Sequence, residues 1–216
     1  MRIVKRNSPN QSARIHGNDA VRLIVCHTPE GDSYSGMVDF LCNPSSQVSY
    51  HRLYKIDGTE ATQLVPWERK AWHAGAVNSL SDGLSVMGRA RNFDLSQGGV
   101  KQLAKGVAER LIARNLKPQW TTDPARGGFC RHGDLQSDRS DPTPDLAEWR
   151  QFVLLVVTAH RNLLGDPDRL PGPSPKPDWF WEAADAWLAG QRQNLPGPSP
   201  KPDWFWLAVQ AWVDQH

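Results

Sequence analysis

The sequence predicts an α/β fold, with a central mixed β-sheet flanked by helices and short helical repeats at the C-terminus. Three observations carry this. "VRLIVCH" at 21–27 is a continuous apolar run, as expected of a strand covered on both faces. Segments 94–115 and 145–165 carry helix-period apolar stripes between start and stop signals. Residues 170–187 return almost unchanged at 195–212.

The elements follow in order. After the buried strand come "VSYHRLYKI" (48–56) and "TEATQLV" (59–65), which flank Asp57-Gly58, a strong hairpin signal. "GLSVMG" (83–88) reads as another short strand. In the helix at 94–115, Asp94 and Gln97 resemble a capping box, and Val100, Leu103, Ala104, Val107 and Leu111 form the stripe. The helix at 145–165 begins at Asp145 and closes at Gly165, and its run Phe152–Val157 predicts deep burial.

A chain of 216 residues holds one ordinary domain plus an appendage. Its net charge of +2 gives no case for nucleic-acid binding. Three cysteines without CxxC spacing argue against a disulfide framework. Cys26 and Cys42 read as buried thiols without a role. No run approaches the roughly 20 apolar residues of a membrane span. "MRIVKRNSPN" lacks the apolar core of a signal peptide. The expectation is a protein made in a cytoplasm that acts elsewhere only with help.

Six of the 10 tryptophans lie after residue 178, in the repeat. "LPGPSPKPDWFWEAADAW" recurs 25 residues later as "LPGPSPKPDWFWLAVQAW", the first twelve letters identical. Each unit joins a stiff proline-rich piece to a short apolar helix capped by Asp178 or Asp203. Phe180, Ala184 and Trp187 share one face of the first. A helix of this length is marginal alone. The two units therefore form either a mutually packed cap or an aromatic platform for sugar rings of a wall polymer. Trp179, Trp181, Trp187, Trp204, Trp206 and Trp212 are the candidate contacts. The domain expectation is 1–165 for chemistry and 166–216 for wall binding.

The stretch "FCRHGDLQSDRSDPTPDL" (129–146) reads as an ordered polar loop, where sites concentrate. It offers His132 and Asp141, the latter stiffened by Pro142. His27 ends the buried strand. Two imidazoles and a carboxylate suit a catalytic zinc, which takes three protein ligands and leaves a position for water.

"VCHTPEG", "VSYHRLYKIDGTEATQLVPWERKAWHAG" and "RHGDLQSDRSDP" together resemble the N-acetylmuramoyl-L-alanine amidase type 2 family, which includes phage lysozyme-type amidases and peptidoglycan recognition proteins. The resemblance covers roughly residues 20 to 150. It implies Zn2+ held by His27, His132 and Asp141, and cleavage of the lactyl–L-alanine amide of bacterial peptidoglycan. It implies Tyr50 as the catalytic phenol, with His73, Trp72 and Asn78 along the substrate groove. His51 reads as structural or as a support behind the site residues. Two departures stand out. Arg139 takes the place of a lysine found in many relatives, which leaves the leaving-group acid open, and Ser85 takes that of a glutamate. Cys130 is an alternative third ligand, disfavoured because a ligand cysteine in relatives follows the histidine. With no signal peptide, the resemblance implies a phage endolysin that reaches the wall through a holin. Two other readings stay open: a non-catalytic peptidoglycan-binding module of the same fold, and a cysteine-type wall peptidase using Cys26 or Cys42.

Overall fold

A computed structural model describes residues 1–164, 177–188 and 195–213 of the chain. The expected linkers at 166–176 and 189–194, the helix stop at Gly165, and the side chains of Trp181 and Trp212 lie outside the described residues. The chain forms two compact units, Met1–His160 and Arg161–His216.

The first unit is built on a six-stranded sheet. Its strands are β1 (Arg2–Lys5), β3 (Leu23–His27), β4 (Arg52–Tyr54), β5 (Glu60–Gln63), β7 (Ser81–Val86) and β8 (Gly128–Arg131). Their order across the sheet is β1-β5-β4-β7-β3-β8. Only the β4–β5 hairpin is antiparallel; every other pairing is parallel, so the sheet is mixed as expected. A separate ribbon pairs β2 (Gln11–Ala13) with β6 (Arg69–Ala71). All five residues of β3 are buried, which accounts for the apolar run Leu23–Cys26 ahead of His27.

Helices α1 (Tyr34–Leu41), α2 (Gly98–Ala113) and α3 (Leu146–Leu163) flank the sheet. The stripe Val100, Leu103, Ala104, Val107 and Leu111 of α2 packs with Ile24, Cys26, Leu84 and Val86, and with Trp149, Phe152 and Val156 of α3. This makes one face of the sheet the main core. The opposite face carries Val38 and Leu41 of α1 with Tyr50 and Leu53, and a smaller cluster of Leu23, Val25, Ala74 and Cys130. Alternation along β3 therefore sends Ile24 and Cys26 to the helical core, and sends Leu23 and Val25 to the other face.

Several elements depart from expectation. The capping box does not form: Gln97 is the N-cap of α2 without a side-chain cap bond, and Asp94 instead accepts from Ser96 N at 2.8 Å. Asp145 does cap α3, its Oδ1 accepting from Ala147 N at 2.7 Å. The hairpin turns at Gly58, with φ +75°, where Lys55 N donates to Glu60 O at 2.9 Å. Its first strand begins only at Arg52, so Tyr50 and His51 precede it. The polar stretch 129–146 opens inside β8, whose Phe129 and Cys130 are fully buried. Cys42 is half-buried rather than buried.

One buried electrostatic node joins three parts of this unit. Asp82 on β7 is fully buried and takes Arg14 Nη2 at 2.6 Å, Arg110 Nε at 3.1 Å and Arg114 Nε at 2.9 Å. His51 sits beside it. Gly83 N donates to His51 Nδ1 at 2.9 Å, so Nε2 carries the proton and donates to Arg69 O at 3.0 Å. The ring stacks on Trp67 with centroids 5.3 Å apart. His51 is thus structural, as expected.

In the second unit, α4 (Asp178–Leu188) and α5 (Asp203–Val213) bury Phe180, Ala183, Ala184, Phe205, Ala208 and Val209 together. Trp179, Trp187, Trp204 and Trp206 flank that cluster, half-buried. Lys201 Nζ donates to Leu195 O at 2.8 Å and lies 5.7 Å over the Trp179 ring. The helices supply for each other the apolar partner that neither has alone.

Two predictions follow from the Asp82 node. Asp82→Asn leaves the buried Arg14 and the half-buried Arg110 and Arg114 short of an anion and should cost about 3–5 kcal/mol in denaturant unfolding; a loss below about 1 kcal/mol contradicts the assignment. Burial depresses the His51 pKa from 6.5 to about 4, against the opposing pull of Asp82. The unfolded chain therefore takes up that proton first as pH falls. The stability contributed by neutral His51 is full above pH 6.5 and drains away as pH drops towards about 4. Melting temperatures across that range should fall less steeply for His51→Gln than for the parent.

Candidate metal centre

His27 is the last residue of β3, and His132 follows the end of β8 directly, opening a single 3-10 turn, His132–Asp134. The two strands are parallel with Cys26 opposite Arg131, so the next residue on each is a histidine at the same edge of the sheet. That carboxyl edge is where open parallel sheets place their sites. Asp141 arrives by a fold-back of the loop: Gly133 N donates to Asp141 O at 3.1 Å. Arg131 Nη1 holds the loop further on, donating to Thr143 O at 3.1 Å.

The side chains converge. His27 Nδ1 lies 3.1 Å from Asp141 Oδ2, and His132 Nδ1 lies 3.2 Å from Asp141 Oδ1. The three ligand atoms lie within 4.8 Å of one another, and all three residues are buried. Tetrahedral zinc with bonds of about 2.0–2.1 Å sets its donors roughly 3.4 Å apart, so the span fits. Donor chemistry fits as well: two imidazoles and a carboxylate. Cys130 does not join the set. It is fully buried among Leu23, Val25 and Ala74, and burial pushes its thiol up, away from the thiolate a metal needs.

Electrostatics prepare the same state. Burial opposes ionisation of Asp141, but the adjacent imidazoles of His132 and His27 outweigh that and hold the carboxyl well below the usual range. Burial lowers the pKa of His27, and lowers that of His73 further. Both rings are therefore neutral at neutral pH, the form that binds metal.

Each ligand imidazole has a partner behind it. His27 Nε2 lies 3.0 Å from His73 Nδ1, and His132 Nε2 lies 2.9 Å from Gln136 Oε1. Neither partnership was legible beforehand, although Gln136 stands one helical turn after His132 and that spacing is a usable signal. Tyr50 is buried with its ring 4.9 Å from that of His27. Burial raises the phenol's pKa, so it is a proton donor across the working range. Ser85 Oγ donates to His27 O at 3.3 Å.

Four residues stand further out. His73 is buried, behind His27. Trp72 is half-buried and donates from Nε1 to Ser12 Oγ at 3.2 Å. Asn78 Oδ1 accepts from His73 N at 3.0 Å and Ala74 N at 2.6 Å, bracing that turn. Arg139 is exposed, with Nε 3.8 Å from Asp138.

A mixed sheet with two imidazoles and a carboxylate gathered at its carboxyl edge defines an α/β domain with a candidate metal site. Residues 17–144 match the family model described as N-acetylmuramoyl-L-alanine amidase, and the chain belongs to that family. It is 38% identical over 108 residues to N-acetylmuramoyl-L-alanine amidase A of Achromobacter lyticus, covering 50% of this chain and 60% of that protein. It is 31% identical over 125 residues to 1,6-anhydro-N-acetylmuramyl-L-alanine amidase AmpD of Salmonella typhimurium, covering 54% and 62%. The chain thus spans less than two thirds of the length of these relatives. In fold it is similar to the Staphylococcus aureus hydrolase AmiA, with TM-score 0.65 at 18% identity over 77% of this chain and 86% of that one. It is also similar to the catalytic domain of XlyA, with TM-score 0.51 at 19% identity over 72% and 99%.

The choice of third ligand is directly testable. Asp141→Ala should lose bound metal, measured by atomic absorption after dialysis, while Cys130→Ala keeps it. The opposite pattern would make the cysteine the ligand.

Proposed function

We propose that this protein is a zinc-dependent N-acetylmuramoyl-L-alanine amidase that hydrolyses the amide between the lactyl group of N-acetylmuramic acid and L-alanine in bacterial peptidoglycan. The observation that carries the reading is the convergence of His27, His132 and Asp141 in a chain of this family. The relatives' names supply the substrate class. The chemistry contributed by zinc at this site is water activation near neutral pH and polarisation of a carbonyl oxygen.

The chain's own residues do the rest. His27, His132 and Asp141 fix the reacting centre at the edge of the sheet. The neutral Tyr50 phenol, buried beside His27, donates a hydrogen bond to the oxygen that gains charge as the carbonyl is attacked. Arg139, on the loop between His132 and Asp141, adds positive charge there without surrendering its proton. Ser85 has no carboxylate to act as base, which places the proton-handling burden on Tyr50 and the centre itself. Trp72 lines the groove in this reading. In the second unit, the half-buried Trp179, Trp187, Trp204 and Trp206 offer faces on which sugar rings stack, and that unit anchors the enzyme to the wall.

Digestion of purified peptidoglycan tests the activity. Mass spectrometry should find new L-alanine amino termini on intact glycan strands; new reducing sugars or cuts inside the stem peptide would overturn the assignment. Tyr50→Phe should lower kcat by about 10²–10³-fold with bound zinc retained. A fragment ending at residue 164 should pellet less with cell walls while turning over soluble muropeptide at the parent rate. Equal pelleting removes the anchor.

A further inference from the structure

We propose that His73 is a positioning residue which, anchored by Ser81, selects the tautomer of His27 that presents Nδ1 to the metal. The inference rests on the metal reading above, and it assigns His73 to the support of a ligand instead of to contact with substrate.

The direction of each hydrogen bond follows from the end of the chain of contacts. Val77 O is a carbonyl and only accepts. Ser81 Oγ lies 2.8 Å from it, so the hydroxyl proton points there. The same Oγ lies 3.2 Å from His73 Nε2, and with its proton committed it accepts from His73 Nε2–H. A neutral imidazole protonated on Nε2 has a lone pair on Nδ1. That atom is 3.0 Å from His27 Nε2, which must therefore be the donor. His27 protonated on Nε2 keeps its Nδ1 lone pair, and Nδ1 is the atom on the Asp141 side.

The relay has an opponent. A carboxylate 3.1 Å from His27 Nδ1 attracts a proton to that nitrogen, giving the tautomer that cannot bind metal through it. If His27 took that form, its Nε2 would face His73 Nδ1 lone pair to lone pair. Reversing the whole chain to relieve this would strip Val77 O of the Ser81 hydroxyl. His73 thus biases His27 away from the tautomer that Asp141 favours. His132 is biased in the same sense more simply, since Gln136 Oε1 accepts from its Nε2 at 2.9 Å.

The surroundings hold His73 in place for this task. Asn78 braces its backbone nitrogen at 3.0 Å. Gly83, on the neighbouring face of β7, leaves room for the ring: a Cβ there would meet His73 Cγ at 2.5 Å and Nδ1 at 2.7 Å. Gly83 has no positive φ, so alanine is excluded by the imidazole and not by the backbone. The ring is T-shaped to His27, with centroids 5.1 Å apart, as an in-plane nitrogen-to-nitrogen bond permits.

The test is zinc affinity of the full chain, measured by competition with a chromophoric chelator, beside two-bond 1H–15N spectra of the zinc-loaded protein. His73→Ala should weaken zinc about 10–100-fold, and His73→Asn, whose Oδ1 reaches the Nδ1 position, should recover most of the loss. The spectra should show His73 protonated on Nε2 alone. Equal affinity in His73→Ala, or a proton on His73 Nδ1 with zinc bound, overturns the relay. Should His73→Ala not fold, Ser81→Ala carries the same expectation with a smaller loss, and an affinity equal to the parent's again overturns it. A parent that takes up no zinc at all overturns the metal reading itself, which is a separate failure.

Discussion

The structure depends on the parallel pairing of β3 with β8. That register, with Cys26 opposite Arg131, delivers two histidines 105 residues apart in number to adjacent positions on one sheet edge. Nothing local holds them there. β3 is buried along its whole length, and β8 contributes Phe129 to the main core and Cys130 to the smaller cluster on the opposite face. The apolar packing that stabilises the sheet is the same packing that fixes the separation of the two imidazoles. The strands set the positions of the two imidazoles, and the fold-back of the loop brings Asp141 to them.

The division of the sheet into two faces explains where the polar groups lie. One face is sealed by α2 and α3 over a mainly apolar core, with Asp82 and its arginines at one end. The other carries the centre, with His73 over Gly83 and Tyr50 against His27. The Asp82 node lies on the α2 side of β7, the side that Leu84 and Val86 share, and ties the N-terminal Arg14 to α2 through Arg110 and Arg114. Burying so many charged groups costs desolvation that an apolar core would not. What it yields here is a fixed β7, and β7 is the strand against which His73 rests and with which β3 is in register.

Much of this was legible in the sequence, for identifiable reasons. Strand β3 announced itself because a doubly covered strand is apolar at every position. The hairpin was marked by Asp57-Gly58, and α2 by a stripe with the right period. His27, His132 and Asp141 were recoverable from residue type and from the neighbouring motifs. Strands β1, β2, β6 and β8 and helix α1 were not. β1 is exposed along its length, β6 reads "RKA", and β8 is four residues ending in an arginine, so no apolar period reveals them. The links from His73 to Ser81 and from Arg14 to Asp82 join distant or unremarkable positions, and only the folded register brings them together. In the repeats, the choice between mutual packing and a binding platform turned on facing contacts. Phe180 and Phe205 are buried in one shared cluster, while the flanking indoles remain partly accessible.

The central claim is that one metal ion is held by His27, His132 and Asp141, through Nδ1 of both imidazoles. Anomalous diffraction at the zinc edge from crystals of the zinc-loaded protein tests it most directly. A single peak is expected about 2.0–2.1 Å from His27 Nδ1, His132 Nδ1 and an Asp141 oxygen. A peak elsewhere, coordination through Nε2, or Cys130 in place of Asp141 would contradict it.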